Sequence, residues 1–502
     1  MDKDIGRRLK LNTISSLFHQ ITAVICGFVV PRVILGAYGS DVNGLVNSVA
    51  QFLHIIAFLE LGVGAVVQTA LYKPLAEKNI IKISQVVASA EKFFRTIAIV
   101  LLAYTGLLVV FYNRINSSDF DWMYTALLIL AMSISYFAQY YFGVVDRLLL
   151  TADQKGYIQY TAQAFTLILN AVSCVILVNY GASVQLVKLI SSLVFLVRPI
   201  ILRIYVDRHY SIDRRIKYQG EPIDQKWNGI AQHVSFTVLD STDIIVLTLM
   251  STLTNVSIYS VYHLVVYGIK QLFMSLTNGI QPIMGEYWAK KDYVKLEEFF
   301  ARIEWVIHTS VVFLFGCTGV LIIPFVEVYT KGVDDANYIQ PLFAVLIVLA
   351  HGCHCLRMPY NMLIFASGHY KQTQNNYFSA AIINIIVSVL TVKYWGLIGV
   401  AIGTLVSMLY QTVWMAWFNT RNMLNRPMRF FIKQICVDAL SFIVLWIIPF
   451  PFRLKNLTYA AWIILAIKYS LVFIIIIGLI NIFFYKDYMK YFINQLIRRT
   501  NK

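Results

Sequence analysis

Apolar stretches of about twenty residues recur from one end of this chain to the other, and few folds can accommodate that pattern. The stretch YAAWIILAIKYSLVFIIIIGLINIFF, residues 459–484, shows the type. In hydrocarbon a backbone must satisfy its own hydrogen bonds, so only helices and closed barrels cross. Runs this long and unbroken exclude a barrel, whose strands alternate over about ten residues. Candidate spans fall at 13–35, 44–71, 94–112, 123–145, 157–179, 184–206, 233–253, 257–282, 304–328, 340–366, 373–394, 396–418, 431–451 and 459–485. The expected fold class is therefore all-α, a polytopic membrane protein of about fourteen transmembrane helices. Only 14% of the 502 residues are charged, against about 25% in soluble domains. The basic opening MDKDIGRRLK leads directly into a run long enough to span, which is expected to be the first helix rather than a cleaved leader.

The net charge of +16 would suggest nucleic acid on a soluble chain. Here it reads as the positive-inside bias of cytoplasmic loops. With the N-terminus inside, most of the 42 Lys and Arg fall on the cytoplasmic side. The opposite side holds Arg114, Lys331, Lys393, Arg453 and Lys455. Both termini are then expected in the cytoplasm, with no nucleic-acid partner. The six cysteines lie within apolar runs and read as small packing residues rather than a disulfide framework.

An internal repeat is visible. AEKNIIKISQVVASAEKF (76–93) and AKKDYVKLEEFFARIEWV (289–306) align at an offset of 213, matching Ala76 to Ala289, Lys78 to Lys291, Lys82 to Lys295 and Glu91 to Glu304. Both are expected to form short amphipathic helices on the cytoplasmic surface. At an offset of 214, Ala152 matches Ala366 and Asn170 matches Asn384. The expected organisation is an N-lobe of six helices (1–206), a cytoplasmic linker (207–232), a C-lobe of six helices (233–420) and two appended helices (421–502). Parallel repeats with a site between them are a transporter architecture.

HGCHCLRMPYN, residues 351–361, concentrates two histidines, two cysteines and an arginine. On one helix His351 and Cys355 fall within about 40° of each other, while Cys353 points about 200° away. A single helix cannot aim all four at one metal, and zinc draws its ligands from separated segments. No metal site is expected. Arg357 is the more telling residue, because a cation in mid-membrane costs about 3 kcal/mol and marks a functional position. Pro359 behind it removes a backbone donor and can free carbonyls to line a cavity. Arg198 and Lys270 also lie deep, whereas Arg32, Lys188 and Lys468 have stronger structural explanations. Such an excess of positive charge suits phosphate-bearing ligands. Glu60, Asp240, Asp243 and Asp438 are the acids that stand out within spans. Asp240 and Asp243 share a helix face. A buried carboxylate can exchange a proton or pair with a buried cation, and for Glu60 the neighbouring Gly62, Gly64 and Ala65 favour a packed ion pair.

The non-cytoplasmic loops are short, and no G-x-x-x-x-G-K-[ST] phosphate loop is present, so an enzyme is not expected. FLELGVGAVVQTALYKPLAEKN, VLDSTDIIVL and LRMPYNMLIFASGHYKQTQNN together resemble the bacterial polysaccharide exporters, or O-antigen-type flippases, of the multidrug/oligosaccharidyl-lipid/polysaccharide superfamily. The resemblance covers essentially the whole chain. It implies two six-helix lobes plus two extra helices, and alternating-access transfer of undecaprenyl-pyrophosphate-linked oligosaccharide to the outer leaflet of the bacterial cytoplasmic membrane. It also implies a cationic cavity: Arg32 and Lys270 match its placement, Arg357 belongs to the matching motif, and Arg198 joins them as a deep cation. Coupling to H⁺ or Na⁺ is implied as well, but its residues do not carry over from the motif, and Asp240, Asp243 and Glu60 are candidates as acids within spans. No cofactor is expected. The implied partners are lipid-linked oligosaccharide, membrane lipids, and a polysaccharide polymerase with other assembly proteins. The rival readings are a multidrug or cation antiporter, a membrane polymerase or glycosyltransferase, and an envelope scaffold.

Overall fold

The computed structural model describes residues 3–115, 120–223, 241–277, 279–447 and 456–490, with single positions 454 and 494. Asp240 and the side chain of Glu60 lie outside the described residues. Those residues form helices and connecting turns, with no strand among them. Eleven helices are long and apolar enough to cross a membrane, and they coincide with eleven of the expected spans. The molecule is an all-α, multi-pass membrane protein. The expected second, seventh and eighth spans are more polar or incompletely described. They fall on α2 (Ala57–Ala76) with the segment before it, on α9 (Ser241–Met250) and on α10 (Leu253–Thr277).

Two boundaries differ from expectation. The first helix, α1, runs Lys3–His54 and carries the start of the second span with it. Its one break is Gly39, at φ 81 and ψ −179, a conformation open to glycine and strained for other residues. The expected surface helix at 76–93 is not separate. After a tight turn at Lys78 (φ 53) the chain enters α3, Ile80–Ile115, and continues without interruption for 36 residues. The matching segment likewise leads into α12, Tyr293–Tyr329, of 37 residues. Neither segment holds a proline or glycine that would stop a helix at the membrane surface, so propagation continues.

The repeat reappears in the backbone. Lys78 and its partner Lys291 both have positive φ, 53 and 56. Gln154 (φ 58) and Gly368 (φ 77), one repeat apart, do the same. In the fourth span, α4 (Trp122–Ala138) passes through a π-helical turn, Gln139–Gly143, before α5 (Val144–Ala152). The equivalent positions 352–356 end where α13 (Pro341–Leu356) breaks before α14 (Met358–Ala366). Both repeats therefore interrupt this helix at the same level.

The chain packs as two compact units, Met1–Ile258 and Tyr259–Lys502. The first holds a continuous apolar core that includes Leu45, Val49, Leu53, Val67, Val87, Phe94, Leu101 and Leu149. It also contains α6 (Gly156–Asn179), α7 (Val184–Phe195) and α8 (Val197–His209). Beyond α8 the chain straps back onto α3. Arg214 pairs with Glu91, with Asp146 at 2.7 Å and with Asp207 at 3.0 Å, while Ser89 donates to Glu221 at 2.6 Å. Burial alone would lower the Arg214 pKa, but the Asp146 and Glu91 carboxylates outweigh it and hold the guanidinium firmly charged.

In the second unit, α15 (Tyr370–Trp395) and α16 (Leu397–Asn422) make the tightest approach. Gly399 and Gly403 form a G-x-x-x-G pair, and a Cβ on Gly403 would come within 2.9 Å of the Ser388 nitrogen. Small residues at this spacing let backbones meet where no hydrophobic force drives helices together. The long α12 anchors α17 (Arg429–Ile447) and α18 (Tyr459–Phe484). His308 meets Asp438 at 2.6 Å, Trp305 donates to Asn481 at 2.6 Å, and Trp446 donates to the Gly316 carbonyl at 3.1 Å. Asp438 thus serves helix docking.

Candidate functional site

Arg357 sits at the junction of α13 and α14 with helical φ and ψ of −69 and −21, so the helix continues through the break. Pro359 has no N–H to give the Cys355 carbonyl. The flanking bonds survive: Arg357 N–H donates to Cys353 O at 3.1 Å and Asn361 N–H to Arg357 O at 3.2 Å. Thr412 of α16 braces the same turn by donating to Cys353 O at 3.1 Å.

The Arg357 side chain is 5% exposed. Its Nη2 donates to His354 Nδ1 at 3.2 Å, and Nη1 lies 4.0 Å from Met408 Sδ. An arginine can only donate, so His354 accepts through Nδ1 and carries its ring proton on Nε2. Among the described residues no carboxylate ion-pairs with Arg357, and its Nε is buried without a hydrogen-bond partner. An uncompensated buried guanidinium is costly, which sets Arg357 apart from Arg214 and Arg426.

Lys270, 2% exposed on α10, belongs to the same region of the second unit. It is within electrostatic reach of His351, His354 and Cys355. Its Nζ lies 4.7 Å from the Tyr267 ring centroid. Tyr259, His263 and Tyr267, each one helical turn apart, form a ladder of rings at 5.5 and 5.2 Å, and His263 meets His351 at 5.4 Å. Two buried cations and two buried imidazoles, with the half-buried His263, thus share one region. Both ends of the Asn376 and Gln411 side-chain amides, on neighbouring helices, also have no hydrogen-bond partner among the described residues. Each such group costs about 1–3 kcal/mol if left dry. Among the described residues no group of three or more His, Cys, Asp or Glu is placed to hold a metal.

Arg198 belongs to a cavity of about 300 Å³ within the first unit. Lys188, Ser191, Ser192, Asn170, Ser135 and Gln139 of the π turn line it with Arg198, and no acid is among its lining residues. Ser191 donates to Asn170 at 2.5 Å, and one repeat later Asn384 donates to Thr404 at 3.1 Å. Arg32, half-buried on α1, folds along its own helix, with its Nη1 2.6 Å from where a Cβ on Gly36 would stand. Asp243 is 4% exposed on α9.

The structure thus brings Lys270 and Arg357 together in one unit and places Arg198, Arg32 and Asp243 in the other. Reading the sequence singled out Arg357 but missed its histidine partners. The His-x-x-Arg spacing of 354 and 357, one helical turn, was the available signal. Lys188, for which the sequence offers a structural explanation, lines the cavity with Arg198.

No family model and no curated protein matches the sequence. Solved structures do match. A structure of the lipid II flippase MurJ in an inward closed conformation superposes at TM-score 0.69 and 13% identity, over 95% of this chain and 99% of that one. An inward-facing multidrug resistance MATE family transporter of the MOP superfamily superposes at 0.63 and 14% identity, over 81% of this chain and 98% of that one. A MOP superfamily transporter from Pyrococcus furiosus, described by the reverse polarity of its binding pocket, superposes at 0.58 and 13% identity, over 82% and 95%. This chain has the fold of these proteins.

Proposed function

We propose that the chain is a transporter that moves a lipid-linked, phosphate-bearing oligosaccharide from the inner to the outer leaflet of the bacterial cytoplasmic membrane by alternating access. The substrate proposed is an undecaprenyl-pyrophosphate-linked repeat unit destined for a surface polysaccharide. The observation that carries this reading is Arg357, buried beside Lys270 and His354 with no carboxylate pairing it among the described residues. A pyrophosphate supplies a negative partner for Arg357, and its oxygens match a guanidinium fork. The fold, common to a lipid II flippase and to multidrug transporters, supports transport as the activity. Without a protein path, the sugar hydroxyls and phosphates would be dragged through hydrocarbon, where each unpaired polar group costs several kcal/mol.

In this reading Arg357 and Lys270 hold the pyrophosphate within the C-lobe (233–420). Arg198 and Arg32 are the further substrate-binding cations proposed within the N-lobe (1–206), with 207–232 as the linker and 421–502 as the appended pair. Coupling to H⁺ or Na⁺ falls to Asp243, Asp240 or Glu60, and a polysaccharide polymerase receives the flipped product. The test is a deletion strain whose lipids are examined by mass spectrometry. Accumulation of a glycosylated polyprenyl pyrophosphate on the cytoplasmic side, relieved by the intact gene, is the expected result. Unchanged lipid intermediates together with lost ethidium efflux would instead identify a drug exporter.

A further inference from the structure

A second cavity lies in the second unit, away from the Arg357 region in sequence and lined differently. It encloses about 330 Å³ between α12, the start of α17 and the end of α18. Trp305, Phe430, Phe484, Tyr485 and Tyr488 supply aromatic walls, and Arg426, Lys433 and Lys486 supply three cations against one acid, Asp487. Trp305 stacks on Tyr488 at 5.7 Å. Lys433 is held over the cavity by the Phe484 carbonyl at 3.2 Å and by the Tyr485 ring at 4.8 Å.

The Tyr485 hydroxyl is the informative atom. It is buried without a hydrogen-bond partner among the described residues, although Tyr485 lines the cavity. Burial, with the Asp438 and Glu304 carboxylates in reach, pushes the phenol up, so it remains a donor. Those two acids are already engaged: Asp438 by His308 and Gln434, and Glu304 by Arg426 and Tyr360. The Tyr485 ring lies under Lys433 and its hydroxyl is an unused donor, in a cavity that Lys486 also lines, so the cavity calls for an acceptor that brings negative charge.

Position narrows the ligand. The cavity opens where α18 ends at Phe484 and α17 begins at Arg429, the cytoplasmic boundary in the orientation expected from the Lys and Arg distribution. Aromatic rings with basic side chains at such a boundary suit a headgroup whose acyl chains stay in the bilayer. We propose that this cavity binds the phosphodiester headgroup of an anionic phospholipid, with Tyr485 donating to a phosphate oxygen and Lys433 and Lys486 neutralising its charge.

The test uses the full-length protein, stripped of lipid in detergent and offered phosphatidylglycerol, phosphatidylcholine or inorganic phosphate, with bound lipid read by native mass spectrometry. Wild type is expected to retain phosphatidylglycerol at least fivefold over phosphatidylcholine. Tyr485→Phe, and separately Lys433→Gln with Lys486→Gln, are expected to cut that preference at least threefold at unchanged melting temperature. Equal retention of the two lipids, or a preference indifferent to all three substitutions, overturns the proposal. Inorganic phosphate that binds alone and displaces phosphatidylglycerol at millimolar concentration also overturns it, marking a site for a free anion.

Discussion

Arg426 forms an ion pair with Glu304, 122 residues earlier in the chain, with side chains 13% and 2% exposed. One repeat away Arg214 does the same with Glu91, across 123 residues. In each unit a segment that follows the sixth repeat helix is tied to the first turns of a long helix. Glu304 also accepts from Tyr360 at 2.6 Å, and Glu91 shares Arg214 with Asp146.

Removing Glu304 leaves Arg426 without its carboxylate, whereas Arg214 keeps Asp146 and Asp207 when Glu91 is removed. Glu304→Gln is expected to cost about 3–5 kcal/mol and Glu91→Gln distinctly less, both read as a lower unfolding temperature of the purified protein in detergent. Glu286→Gln, which removes an exposed pair with Lys290, is the control and should leave the unfolding temperature unchanged. Equal melting of all three variants and wild type would show that the ties carry no load.

Arg357→Gln and Lys270→Gln are expected to reduce export of surface polysaccharide at least tenfold, with protein levels intact. Because the two cations share one region with His351 and His354, the double variant should lose little more than either single one. Quantifying surface polysaccharide in a complemented deletion strain checks this, and normal polymer in both single variants removes these residues from the substrate path.

The cavity of the first unit makes a separate prediction. Arg198→Gln and Lys188→Gln lower its positive charge without touching Lys270 or Arg357. If that charge assists the substrate, each should slow flipping several-fold in a reconstituted assay while leaving the melting temperature within a degree or two. Flipping at the wild-type rate in both would separate this cavity from transport.

Gly44 packs so closely on the next repeat's segment that a Cβ there would run into the Leu253 backbone carbonyl. The joint is reinforced by Asn43 donating to Ser257 at 2.7 Å and Thr254 donating to Asp41 at 2.5 Å. Gly44→Ala is expected to lower the melting temperature by several degrees. Gly106→Ala, with open space around the added methyl, should leave it level or slightly raised. The reverse order would contradict this packing.

Much of the fold was legible because membrane spans announce themselves: eleven of the expected stretches stand as long apolar helices. Helix joints were harder. A run of apolar residues does not reveal that Gly39 turns through positive φ, nor that the charged segment after Lys78 stays helical into the bilayer. The candidate site divided along the same line. Arg357 could be found from one residue, because a charge in an apolar run is visible by itself. Its neighbours His263, Lys270 and His351 come from two helices, and their meeting depends on rotation about each axis, which residue spacing alone does not set.

The two long helices have a mechanical consequence. At 36 and 37 residues, each is about 54 Å long at 1.5 Å per residue, against about 30 Å of hydrocarbon. Each is thus a stiff lever with its handle in water. A tilt of about 10° swings one end by about 9 Å relative to the other, given that rise per residue. For the transporter proposed above, a motion of that size, applied through the handles that Glu91 and Glu304 hold, would be enough to open or shut a passage as wide as a sugar ring.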